Sequence, residues 1–107
     1  MADIFELPED FIGKEDEQRL RSFGGHLIAN GCATRWHWER RRNVDVAFEV
    51  FHGGADESLL FAITRDREED VFLARDPAGG VLARGKLDHV MAILDAFARG
   101  MRSDEPA

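Results

Sequence analysis

The stretch Thr34-Arg35-Trp36-His37-Trp38-Glu39-Arg40-Arg41-Arg42-Asn43-Val44-Asp45-Val46-Ala47-Phe48-Glu49-Val50-Phe51 decides the fold class. Its period is two. Thr34, Trp36, Trp38 and Arg40 share one face, with Arg35, His37, Glu39 and Arg41 on the other. Beyond the arginines, Val44, Val46, Phe48 and Val50 share a face opposite Asp45, Ala47, Glu49 and Phe51. Alternation of this kind is the mark of a half-buried strand. The two runs lie close enough to form an antiparallel hairpin. Joining the apolar faces pairs Trp38 with Val46, Trp36 with Phe48 and Thr34 with Val50, because a one-residue slip would turn each side chain to the wrong side. Arg41-Arg42-Asn43 then closes the hairpin, with Asn43 in the left-handed position such loops require. This register sets Arg35 opposite Glu49.

Upstream the period changes to that of a helix, expected over Lys14 to Ala29. Leu20, Phe23, Leu27 and Ile28 fall on one helical face, Glu15, Asp16 and Glu17 favour the positive end of the dipole, and Asn30-Gly31 supplies a stop. Gly24-Gly25 costs such a helix about 1 kcal/mol per glycine relative to alanine. The expected reason is a close crossing of helix and sheet, and the alternative is a helix that breaks at this pair. Residues 1–13 read as an N-terminal arm with one helical turn at Pro8-Glu9-Asp10.

Downstream, three shorter strands are expected at residues 58–64, 71–75 and 81–85. Gly53-Gly54, the charged loop 65–70 and Pro77-Ala78-Gly79-Gly80 separate them. A last helix spans 88–99, with Asp88 as its cap, Gly100 as its stop, and Leu87, Val90, Met91, Leu94 and Phe97 as its buried stripe. The expected architecture is α+β: a five-stranded antiparallel meander flanked by an N-terminal and a C-terminal helix, in the order α-β-β-β-β-β-α. Residues 1–100 form one domain, and 101–107 a disordered acidic tail.

Along the last three strands both faces are apolar. The core face is expected to hold Trp36, Trp38, Val46, Phe48, Val50, Leu59, Phe61, Ile63, Val71, Leu73 and Val81. The opposite face would carry Phe51, Leu60, Ala62, Phe72, Ala74 and Leu82, whereas an antiparallel sheet with one wet face shows polar residues there. Either an intramolecular cover lies over that patch, by a helix or by the arm with Phe5, Leu7, Phe11 and Ile12, or the patch binds a partner or a second copy.

The 107 residues are 44% hydrophobic and 33% charged, with a net charge of −7. The longest apolar run, Leu59 to Ile63, is far short of the roughly 20 residues a membrane-spanning helix needs. Met1-Ala2-Asp3 opens no secretory leader, and the single Cys32 suits a reducing compartment, so the expected location is the cytoplasm. The acidity disfavours nucleic acid, whose binding rests on basic surfaces. The basic island is Arg35 with Arg40, Arg41 and Arg42.

Candidate chemistry is sparse. Cys32 and His37 are five residues apart, so an extended strand points them to opposite faces, and no Ser or Cys stands in a nucleophile–base pattern. The four histidines and Cys32 show no HxH, CxxC or HExxH spacing, so no metal or other cofactor is expected. Glu68, Glu69 and Asp70 read as a solvated loop beside Arg65 and Arg67, and the glycine pairs match no phosphate-binding pattern. Both tryptophans belong to the core, which leaves Arg40 to Arg42 as an arginine-tipped hairpin rather than an aromatic stacking platform. The expected function is a small acidic protein-binding module without enzymatic activity, in the manner of an inhibitor, immunity protein, antitoxin or chaperone. A blocker of a nucleic-acid-binding complex belongs to the same class. The expected contacts are Phe51, Leu60, Phe72, Leu82, Arg40, Arg41 and Arg42, with a protein partner or a homodimer. The alternatives are nucleic-acid binding through the Arg40–Arg42 tip, and a small enzyme or ligand-binding domain with Cys32 or a histidine in a sheet–helix pocket.

Overall fold

A computed structural model describes residues 13–40, 46–53, 56–66 and 68–103, without the side chains of Arg40 and of 101–103. Helix α1 (Lys14–Ala29) is followed by β1 (Arg35–Arg40), β2 (Val46–His52), β3 (Ser58–Asp66), β4 (Val71–Arg75), β5 (Val81–Gly85) and helix α2 (Leu87–Ser103). The five strands form one antiparallel sheet in chain order, as the α+β meander reading expects. Among the described residues no helix is long and apolar enough to cross a membrane.

Both helices cover the same face of the sheet. Leu20, Phe23 and Leu27 of α1 join Leu87, Val90, Leu94 and Ala98 of α2 in one buried cluster with Phe48, Val50, Phe61, Ile63, Phe72, Ala74 and Ala83. One row of that face crosses all five strands, pairing Trp38, Phe48, Ile63, Ala74 and Ala83 in turn. The side chains shrink along the row. Alanines under α2 let that helix rest close on β4 and β5. At the other end the helix gives way instead. A Cβ added to Gly24 would sit 2.4 Å from the Trp36 ring, so only glycine lets α1 cross there, whereas Gly25 meets nothing.

α1 ends in a Schellman cap. Cys32 N donates to Leu27 O at 2.8 Å and Gly31 N to Ile28 O at 3.0 Å, with Gly31 at φ 76°, which glycine adopts without strain. Leu27 and Cys32, at the two positions whose side chains this motif brings together, are both buried in the core.

Several expectations need correction. In the first hairpin the apolar faces join as expected, but the pairs are Trp36 with Val50 and Trp38 with Phe48, two residues from the expected register. Arg40 pairs with Val46, which leaves five residues between the strands rather than three, and a two-residue shift preserves every face. Arg35 therefore lies opposite Phe51, and His37 takes the place across from Glu49. The arm 1–12, the loop with Arg41, Arg42 and Asn43, and the tail 104–107 lie outside the described residues.

The larger correction concerns the last three strands. Asp66 pairs with Val71 across a four-residue loop, and an even-numbered loop sets odd positions of β3 beside even positions of β4. Phe72 and Ala74 thus join the helix-covered core, and Val71 and Leu73 take the other face. Two bulges add to this. Phe51 pairs with Leu59 while Val50 pairs with Phe61, so Leu60 is an extra residue; Leu82 is extra in the same way between Val81 and Ala83. Leu60 is buried in the core cluster and Leu82 packs against it. Leu59 and Val81 pair instead with Phe51 and Arg75, on the face away from the helices, where Val81 is 56% exposed.

α2 also differs at both ends. It begins at Leu87, with Val90 N donating to Lys86 O, so Lys86 occupies the cap position. Asp88 lies in the first turn and pairs with Arg19 of α1, linking the helices. At the other end α2 runs through Gly100 to Ser103, into the segment read as tail. A glycine weakens a helix but ends it only where the chain turns left-handed, and Gly100 keeps a negative φ.

Candidate functional site

The face away from the helices carries most of the sheet's charge. Pairing places Arg35, His37 and Glu39 of β1 together with Ala47, Glu49 and Phe51 of β2, Ala62 of β3 and Arg75 of β4. Ala47 and Ala62 are small, so Glu49 lies between low neighbours. Glu57, just before β3, reaches the same region and completes a connected cluster.

Arg35 is its hub. Its Nε donates to both oxygens of Glu57 at 3.0 Å and its Nη2 to Oε1 at 2.8 Å, a bidentate clamp. This hydrogen bonding holds the Glu57 carboxyl below the usual carboxylate range and raises the Arg35 guanidinium above its own. The guanidinium lies over the half-buried Phe51 ring, 4.2 Å from its centroid. Its remaining Nη1 lies 3.0 Å from His37 Nδ1.

That last contact sets the state of the imidazole. A guanidinium can only donate, so His37 Nδ1 accepts and the ring proton sits on Nε2. From there it is donated to Glu49 Oε1 at 2.8 Å. Glu39 Oε1 lies 3.7 Å from the same nitrogen. The His37 ring also meets Phe51 edge-on at 5.2 Å. One guanidinium, one imidazole, three carboxylates and one aromatic ring thus occupy a single ordered patch. The candidate donor atoms of His37, Glu39 and Glu49 all lie within 4.8 Å of one another.

The residues expected to contact a partner do not assemble into one surface. Of the four apolar ones, only Phe51 lies in this patch; Leu60 and Phe72 are buried in the core and Leu82 packs against it, for the register reasons given above. The side chain of Arg40, with Arg41 and Arg42, lies outside the described residues. Cys32 is buried at 3% exposure in the α1 cap, with its side chain in the apolar core. Glu68, Glu69 and Asp70 are exposed: Asp66 accepts from the Glu68 and Glu69 N–H groups, and Asp70 takes a bond from Arg65 at 2.6 Å.

The alternation in the sequence places Arg35, His37 and Glu39 on one face, but a search for His and Cys spacings overlooks a His-x-Glu pair with a carboxylate across the strand. Glu57 has no sequence signal, because it lies outside the strands, just before β3, where no alternation assigns it a face. A second polar group links the helices, where Arg99 Nε donates to Asp95 at 3.1 Å and His26 lies 3.7 Å from the same carboxylate. Arg21, held by Glu17, lies 5.6 Å over the Trp36 ring, and the buried Trp38 Nε1 has no acceptor among the described residues. No protein-family model matches this chain, and neither a curated protein nor a solved structure matches it.

Proposed function

We propose that this chain is a protein-binding module without enzymatic activity, and that it engages its partner through the helix-free face around Arg35 and Phe51. One observation carries the reading. The Arg35 guanidinium stacks 4.2 Å over Phe51 while Glu57 clamps its edge. Arginine and aromatic side chains are enriched among the residues that dominate binding energy. Ordering them before the encounter reduces the entropy lost on association. Glu57 and Glu49 flank the pair, Glu39 lies beyond His37 on the same face, and the chain carries −7 overall, so the fitting partner presents a basic surface. The lone, buried Cys32 suits a reducing cytoplasm.

The test is a pull-down from host lysate with wild type, Arg35→Ala and Phe51→Ala, each with and without nuclease. The expected result is one protein retained in near-equal amount by wild type after nuclease, with affinity lowered about 30-fold by either substitution, as for a contact of about 2 kcal/mol. Circular dichroism should show both variants folded. Retention that ignores the substitutions, or material that disappears with nuclease, overturns the reading. Self-association insensitive to both substitutions also overturns it.

A further inference from the structure

We propose that His37, Glu39 and Glu49 form a binding site for a divalent transition metal of the zinc type on β1 and β2. The site does not depend on the partner-binding reading, because its ligands are not the Arg35–Phe51 pair.

Strand geometry builds the site. His37 and Glu39 are two residues apart and share a face, and Glu49 stands directly across from His37. His37 Nε2 lies 2.8 Å from Glu49 Oε1 and 3.7 Å from Glu39 Oε1. Zinc–nitrogen and zinc–oxygen bonds of about 2.0–2.1 Å in a tetrahedron separate adjacent donors by roughly 3.3 Å. The two distances bracket that value, and all three donors fall within 4.8 Å of one another. Small side-chain adjustments therefore suffice. Two carboxylates balance the ion's charge, and the imidazole favours zinc over calcium or magnesium, which prefer all-oxygen shells. Exposure rises from Glu49 at 15% through His37 at 37% to Glu39 at 52%, so the fourth position opens to solvent.

Proton balance gives the site a distinctive control. In the described arrangement the ring proton sits on Nε2, the nitrogen the metal must occupy. Binding moves that proton to Nδ1, with no net release. The Nδ1–H can no longer accept from Arg35, so the Arg35 Nη1 contact breaks. Glu57, bound to the same guanidinium, is the acceptor suited to the relocated proton, in the role a carboxylate commonly plays behind a metal-bound histidine. Arg35 thus opposes the metal.

The experiment is calorimetric titration of the full chain with zinc chloride alone, in a non-chelating buffer, repeated with calcium and magnesium chlorides. The expected result is one zinc ion per chain, binding more tightly than calcium or magnesium. His37→Ala and Glu49→Gln should each weaken it by about tenfold or more, and Arg35→Ala should tighten it. Circular dichroism checks folding of each variant; the exposed Glu39→Gln, expected to weaken binding too, serves should His37→Ala or Glu49→Gln fail to fold. Absence of a one-to-one isotherm, zinc binding indifferent to these ligand substitutions, or tighter binding of calcium overturns the proposal. A loss of zinc affinity in Arg35→Ala overturns the proton-exchange account. Arg35→Ala also separates the two readings, since it should lose the protein partner while gaining zinc affinity.

Discussion

The two faces of the sheet solve opposite problems with the same strands. Toward the helices, a row of side chains from Trp38 to Ala83 tapers to fit α1 and α2, and the buried cluster there is continuous. Its energy comes from area removed from water, which has no direction. On the other face, Arg35, His37, Glu49 and Glu57 are fixed by directional hydrogen bonds among exposed or half-buried groups. Such bonds contribute little to stability in water but set the positions of charged groups closely. The contrast separates what holds the fold from what the fold presents.

The sharpest way to break that contrast is to truncate one phenylalanine on each side. Phe72→Ala, in the core at 6% exposure, should cost about 3–5 kcal/mol, and Phe51→Ala about 1 kcal/mol, read by urea unfolding. Comparable losses at both positions would mean that the outer face is core as well.

Gly24→Ala tests the fit of α1 against β1. Its new methyl meets the Trp36 ring, so overpacking should cost about 1–3 kcal/mol, although alanine favours helix everywhere else. Gly25→Ala, with open space around it, should be neutral or slightly stabilising by thermal melting.

The smallest effect sharpens the polar side. The folded-state pKa of Glu57 is depressed by Arg35, so the pair's contribution is fully present above the ordinary carboxylate value of 4.5. It is lost as pH falls through the lower folded value. The stability difference between wild type and Glu57→Gln should therefore be present at neutral pH, shrink through the acid range and shrink further in high salt. A difference that grows on acidification would contradict the ion pair.

Helix α1 and strands β4 and β5 were legible in the sequence to the residue: a periodic stripe, acids at one end and Asn30-Gly31 at the other bound α1, and the charged loop and Pro77-Ala78-Gly79-Gly80 bound the strands. The faces of β4 and β5 were not. Val71, Phe72, Leu73 and Ala74 are all apolar, so alternation cannot choose between them. The choice is made by the even length of the loop at 67–70 and by the bulges at Leu60 and Leu82, which are features of pairing rather than of composition. The charged patch was half legible: Arg35, His37 and Glu39 share a face by period, but the partner of Arg35 depended on a register two residues away and on Glu57 arriving from a loop.

The bulges also bear on how this chain can change in length. In an unbroken ladder, one added residue turns over every side chain that follows. Here Leu60 and Leu82 are each absorbed where they stand, with pairing resumed on the correct face at both flanks. Removing either would join Phe61 to Leu59, or Ala83 to Val81, as ordinary successive rungs and leave the remaining strand residues facing as they do now. The sheet can therefore lose a residue at these two points and retain its wiring, forfeiting only Leu60 from the core or Leu82 from its margin.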